Sequence, residues 1–419
     1  MDVFTGFWSQ WLRPSAGLVT LQWSLLLALA TIGGSLCQRY LGLPKVVGYS
    51  AVGAVIGFAG FSGAPWPLQG ISLFLLELGV SVVLFECGGR IPLRWFRHNP
   101  MVLVQSIAEA ALTYFSVLWL LRWLDTPADV AGAIAMVAMA ASPLVLSRVI
   151  TDMRASGAVT DRAMVLATLS TLYALTLGSA NAEVFHRPAQ TLLDSSSAVI
   201  VVLGVSIVVG AVLSLLMRLA LRFMSPTSEN TSILVLALIA AGTAVAAHLG
   251  GSAPLAALLG GMLLKHLHPR PWAWPRQLGT ASSLLTIMMF VLVSTVAAQA
   301  DWSLPLAGVV LAVIVVRLLA KAIGVGLGNV GSGASWRQAM WVSCAMAPMS
   351  SVALLIASQF VSAAPATGEM IARVALPMIL LMELLGAVVA SLAFYRAGES
   401  SKPLRPETPE TSTGDHHGT

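Results

Sequence analysis

Charge is scarce in this chain. Only 10% of its 419 residues are Asp, Glu, Lys or Arg, where soluble domains carry about 25%. So few charges cannot cover the water-facing surface of a chain this long. That excludes a cytosolic enzyme, a nucleic-acid binder and a disordered scaffold. Cysteine is sparser still: Cys37, Cys87 and Cys344 stand far apart in apolar surroundings with no CxxC spacing. Neither a metal centre nor a disulfide framework is indicated, and the three read as small buried apolar residues. HExxH and Walker A are absent, so no enzyme activity, cofactor or resident metal is expected. What the chain holds instead is apolar: 57% of residues are hydrophobic and the mean hydropathy is +0.85. In such a protein a net charge of +5 points to basic cytoplasmic loops rather than to nucleic acid.

The remaining charges divide the chain into apolar blocks of spanning length. Spans are expected at 17–37, 43–62, 71–88, 100–122, 129–150, 163–183, 196–217, 231–248, 252–265, 278–298, 304–325, 336–359 and 370–394. The first of these is too long for a signal-peptide core and reads as retained. With the N-terminus outside, the odd connections and the C-terminal tail hold sixteen Lys and Arg residues, against Arg13, Arg122 and Arg187 on the other side. This asymmetry predicts N-out, C-in and an odd number of spans. The expected organisation is an extracytoplasmic segment at 1–16, a membrane domain at 17–395, and a polar, Pro- and Thr-rich disordered cytoplasmic tail at 396–419.

One internal echo stands out. Ala138-Met-Ala-Ala-Ser-Pro143 in the fifth span is repeated in part by Ala345-Met-Ala-Pro348 in the twelfth, with the prolines 205 residues apart. Proline interrupts a helix. In lipid the freed backbone groups are tolerated only where they face protein or a wet cavity. Interrupted helices at matching places in two halves are the sequence pointer to a secondary-transporter site.

A series of segments carries a family resemblance. LPKVVGYSAVGAVIGFAG (43–60) resembles the second span of the cation:proton antiporter superfamily, which includes the bacterial sodium/hydrogen exchangers. LLELGVSVVLFECGGR (75–90) resembles its third span, and ASPLVLSRVI (141–150) the unwound part of its fifth. LGGSAPLAALLGGMLL (249–264), VVRLLAKAIGVGLG (315–328) and MELLGAVVASLAFYRAGE (382–399) are similar to its later hairpin, its lysine-bearing eleventh span and its last span. The order and spacing cover roughly 40–395. The resemblance implies an all-α polytopic fold of about thirteen transmembrane helices in inverted repeats, with two crossed, broken helices at 129–150 and 336–359. It also implies a homodimer in the bacterial inner membrane. The partners it implies are H⁺, a monovalent cation and the lipid bilayer.

The chemistry departs from that pattern. Family members typically carry an Asp in the sixth span, which here falls near Leu172. The sequence reads Thr168-Leu-Ser-Thr-Leu-Tyr173, with no carboxylate between Arg162 and Glu183. The fifth-span Thr-Asp-Pro is Ala141-Ser142-Pro143.

Ionisable groups within lipid are costly and are functional candidates by default. The acids are Glu77, Glu86, Glu109 and Glu383, each a candidate proton carrier; the bases are Arg148, Arg317, Lys321 and Arg373. Glu109 lies nearest mid-membrane, and Glu86 lies near the inner interface beside Arg90. Lys321 matches the family lysine; without the usual Asp it needs another partner or is neutral. Arg317, four residues before it, shares its helix face, and two cations there call for an anion or water nearby. Arg148 either neutralises helix-end carbonyls or reaches the cytoplasmic face. The candidate ion pathway is Ser142, Pro143, Arg148, Ser170, Thr171, Tyr173, Lys321, Pro348 and Ser350. The function read from all this is cation:proton antiport, Na⁺ or K⁺ for H⁺, by alternating access. Two alternatives stay open: a carrier of another solute such as an organic anion, and a non-transporting sensor on a degenerate antiporter fold.

Overall fold

The computed structural model describes residues 16–60, 66–91, 93–186, 192–225, 228–267 and 276–401. The first fifteen residues and 402–419, which hold most of the expected extracytoplasmic segment and tail, lie outside the described residues. The first half of the chain forms α1 (Ala16–Leu41), α2 (Lys45–Phe58), α3 (Gly70–Gly89), α4 (Leu93–His98), α5 (Pro100–Trp123), α6 (Ala128–Met139), α7 (Pro143–Met153) and α8 (Ala158–His186). The second half forms α9 (Leu192–Phe223), α10 (Glu229–His248), α11 (Ala253–Leu267), α12 (Arg276–Ala298), α13 (Leu304–Leu327), α14 (Trp336–Ala345), α15 (Ser351–Ala363) and α16 (Pro365–Ala397). Every span expected from the charge pattern coincides with one of these helices or, in two places, with a broken pair. Among the described residues nine segments, with the broken pair α6–α7 counted as one, are long and apolar enough to cross a membrane, and four more are shorter apolar helices.

The lipid-facing and protein-facing helices differ in a readable way. Ile71, Phe223 and Trp119 are each more than 70% exposed, a pattern of outward apolar side chains that water would punish and lipid does not. By contrast α6 is apolar all round, with Ala131, Ala133, Ile134, Ala135 and Val137 fully buried. A helix apolar on every face is a core element. On the same ground α15, with Val352 to Ala357 buried, joins α6 at the centre.

Both breaks follow from proline. Pro143 lacks an N–H and restricts the residue before it, so Ser142 is extended (φ −108°, ψ 95°) and α7 starts afresh. The Ser142 hydroxyl caps that start by accepting from the Val145 N–H at 3.3 Å. In the second pair, Met346 to Ser350 form a non-helical link that contains Pro348. The two links meet: the Ser142 N–H donates to the Pro348 carbonyl at 3.0 Å.

Close helix contacts rest on glycine. A Cβ at Gly328, which caps the C-terminus of α13, would lie 2.5 Å from the Cα of Gln105 on α5, and one at Gly324 would run into the Glu109 backbone. Small residues let two backbones approach where lipid supplies no hydrophobic drive between helices. Gln105 then donates to the Val325 carbonyl at 2.7 Å, which locks α5 to α13. The tail begins as ordered structure, in contrast to its expected disorder from 396. Arg396 ends α16, and the Glu399 carboxylate accepts from the Val159 and Thr160 N–H groups and the Thr160 hydroxyl at 2.7–2.8 Å. An acid at a helix N-terminus satisfies free donors and the dipole together.

Gly328→Ala should therefore push α5 from α13 at an overpacking cost of about 1–3 kcal/mol. Gly326→Ala, whose Cβ would meet only the Trp336 ring at 3.7 Å, serves as the control. Thermal unfolding of the detergent-solubilised protein should show a lower midpoint for the first variant and an unchanged or raised midpoint for the second.

Candidate functional site at the helix crossing

Where α6 and α14 stop, their last carbonyls lose their helical partners and must be satisfied inside the protein. The donors come from α8 and α13. Arg317, fully buried, gives its Nε to the Ala138 carbonyl at 2.7 Å, one Nη to Ala140 at 2.8 Å and the other to Ala347 at 2.8 Å. Lys321 Nζ donates to the Met139 carbonyl at 3.2 Å. Thr171 Oγ1 donates to Ala141 at 2.6 Å. With the Ser142–Pro348 bond, the carbonyls of residues 138 to 141, 347 and 348 all have a donor. Two positive side chains also sit at two helix C-termini, where the dipole favours them.

The carboxylate comes from an unexpected helix. Glu109 of α5 forms a salt bridge with Lys321, both side chains fully buried. Its other oxygen accepts from Ser170 Oγ of α8 at 2.5 Å. Glu109 thus reaches α8 from the fourth span, and α8 contributes to it the Ser170 hydroxyl, two residues before Leu172. Next to it Tyr173 and Ser106 share a hydrogen bond at 3.0 Å. A buried pair of this kind is costly to assemble and more costly to break one-sidedly.

The other candidates are placed as follows. Pro143 and Ser142 begin α7, and Pro348 lies in the second link. Ser350 is the N-cap position of α15, and its hydroxyl donates to Glu383 of α16 at 3.1 Å. Arg148 lies apart from the crossing carbonyls and donates to Ser283 Oγ at 3.4 Å. Glu86 pairs with Arg90 at 2.5 Å. Glu77 is half-buried on α3, and among the described residues no hydrogen bond ties it to the crossing. Arg373 pairs with Glu369 at 3.0 Å on an exposed turn.

Sequence reasoning missed the part Arg317 plays. The shared face of Arg317 and Lys321 was visible, but it called for an anion or water; Lys321 does meet an anion, whereas Arg317 meets backbone carbonyls. It also missed Ser50 and Ser294, which donate to Glu383 at 2.5 and 3.2 Å. A serine in an apolar helix carries no signal of its partner.

The transmembrane family of sodium/hydrogen exchangers matches residues 25–395. The fold is similar to that of the sodium proton antiporter MjNhaP1 from Methanocaldococcus jannaschii. One structure of that protein, at pH 8, aligns with a TM-score of 0.67 and 16% identity over 90% of this chain and 98% of that one. A second, from electron microscopy, aligns with a TM-score of 0.66 and 17% identity over 93% and 100%. At that identity the likeness speaks for the fold alone. No curated protein matches the chain. With the match covering most of its length, the chain belongs to the sodium/hydrogen exchanger family and is an integral multi-pass membrane protein.

Arg317→Leu would strip donors from three buried carbonyls, each worth about 1–3 kcal/mol when left unsatisfied. Its unfolding midpoint in detergent should fall far below that of Arg148→Leu, which leaves the crossing carbonyls their donors. Equal midpoints would show that the crossing does not depend on Arg317.

Proposed function

We propose that this exchanger-family protein moves a monovalent cation, Na⁺ or K⁺, against H⁺ by alternating access, with Glu109 in place of the sixth-span acid. The observation that carries this reading is the buried Lys321–Glu109 pair beside the crossing, with Ser170 on the second carboxylate oxygen. Glu109 offers one negative charge. A proton-bearing ammonium holds it in this state, and a metal cation reaching the site needs the same charge. Carboxylate, hydroxyl and the nearby Met139 carbonyl are all hard oxygen donors, suited to an alkali cation. Whichever positive group takes Glu109 excludes the other, and that exclusion couples the two movements.

The alternative of an organic-anion carrier was motivated by bases without an acid. Lys321 has Glu109, and Arg317 has three carbonyls, so neither is left to receive an anion. The basic asymmetry of the loops supports N-out, C-in in a bacterial inner membrane. The homodimer is proposed by likeness to the family.

The test is reconstitution in liposomes with an interior pH dye and added Na⁺, K⁺ or Li⁺. The unaltered protein should give a cation-dependent pH change, and Glu109→Gln should reduce it to background. Exchange that persists in Glu109→Gln would remove Glu109 from the mechanism. Stability supplies a separate readout. Lys321→Gln alone should cost about 3–5 kcal/mol by leaving Glu109 unpaired, while the Glu109→Gln, Lys321→Gln double variant should regain most of that without regaining exchange.

A further inference from the structure

A second buried carboxylate lies outside the pair just described. Glu383 of α16 is fully buried and, among the described residues, has no ion-pair partner. It is held instead by three hydroxyls from three other helices. Ser50 of α2 reaches Oε1 at 2.5 Å, Ser294 of α12 reaches Oε1 at 3.2 Å, and Ser350 at the start of α15 reaches Oε2 at 3.1 Å. Serine in a helix commonly turns its hydroxyl back to its own backbone. Ser50 and Ser294 send theirs to Glu383.

The charged and titratable groups on the helices around α16 are engaged elsewhere or stand outside this cluster. Arg317 of α13 touches the neighbouring Met382 sulfur at 3.7 Å, but its N–H groups go to three carbonyls. Lys321 holds Glu109. On α7, Arg148 donates to Ser283, and Asp152 accepts from the Lys45 N–H that begins α2. On α16 itself Arg373 pairs with Glu369, and Arg396 lies at the far end. Tyr49 precedes Ser50 on α2. Asp129 opens α6, Asp161, Arg162 and Glu183 lie towards the ends of α8, and Arg337 lies in the first turn of α14. None of these makes a hydrogen bond to Glu383. Over their described side chains α12 and α15 carry no ionisable group.

The two carboxylates differ in what their partners can do. Lys321 brings a positive charge to Glu109, which favours the ionised carboxyl. A hydroxyl donates and accepts. Three neutral hydroxyls donate to an ionised Glu383, and when it is protonated one of them can accept its O–H. The oxygen–oxygen separations are those of direct hydrogen bonds, so a metal cation has no place among them as they stand. We propose that Glu383, Ser50, Ser294 and Ser350 form a second ion site, distinct from Glu109, that takes up and releases a proton. The site joins α2, α12, α15 and α16, so its proton affinity is tied to the packing of those four helices. Ser350 lies two residues after Pro348, and a Cβ at Gly386, three residues after Glu383, would lie 2.6 Å from the Pro348 Cα. Any shift of the crossing alters the hydroxyl shell, and by linkage the protonation of Glu383 biases the crossing in return.

The test is infrared difference spectroscopy of the full chain in lipid as the pH is raised. The carbonyl stretch of a buried protonated carboxyl should appear in the unaltered protein and in Glu109→Gln, and be lost in Glu383→Gln. Ser50→Ala keeps the carboxyl and removes its shortest partner, so it should shift that band without abolishing it, which covers the case in which Glu383→Gln fails to fold. A band that survives whole in Glu383→Gln, or that is absent from Glu109→Gln at every pH, overturns the proposal. So does a band in Glu109→Gln that disappears on adding Na⁺ or K⁺ at constant pH, which would make this a metal-cation site. The readout needs no transport, so failure here leaves the Glu109 reading standing, and failure of that reading leaves the band to be found.

Discussion

Breaking two helices in the middle of a membrane protein frees carbonyls that have no water to turn to, and Arg317 answers for three of them. Its planar guanidinium offers several donors in a fixed fork, which suits carbonyls arriving from two different chain segments. An ammonium at that position would reach fewer of them. The meeting of the two links, where the Ser142 N–H reaches the Pro348 carbonyl, is flanked by the carbonyls that this fork holds. The charge is not idle, since it stands at two helix C-termini, yet it is not the charge that an ion would meet.

That division of labour leaves Lys321 free to face Glu109. One turn separates the two cations on α13, and their partners are of different kinds: dipoles for the first, a carboxylate for the second. Glycines on the same helix make this possible. Gly324 and Gly328 bring α5 within backbone contact, so that Glu109 arrives at the level of Ser170. Glu109 thus meets Lys321 of α13 and the Ser170 hydroxyl of α8 across two helix interfaces.

Glu383 is the counterpart without a cation. Three neutral hydroxyls surround it, where Glu109 has one hydroxyl and an ammonium. The two buried acids thus differ in the charge of their surroundings.

Much of this architecture was legible in the chain itself. Scarce charge and long apolar blocks require a multi-span helical protein, because lipid leaves the backbone no other option for its hydrogen bonds. Pro143 and Pro348 mark the two breaks, since a residue without an N–H kinks or interrupts a helix, although α16 continues through Pro377. The short list of ionisable residues within the spans contained Glu109, Lys321, Arg317 and Glu383. Which of them meet was decided only by tertiary structure. Glu109 and Lys321 are 212 residues apart and Ser50 and Glu383 are 333 apart, separations at which local pattern says nothing of contact. Helix periodicity sets the face on which a side chain lies, but its partner depends on how closely and at what height two helices pack, and here small glycines at the interfaces set both.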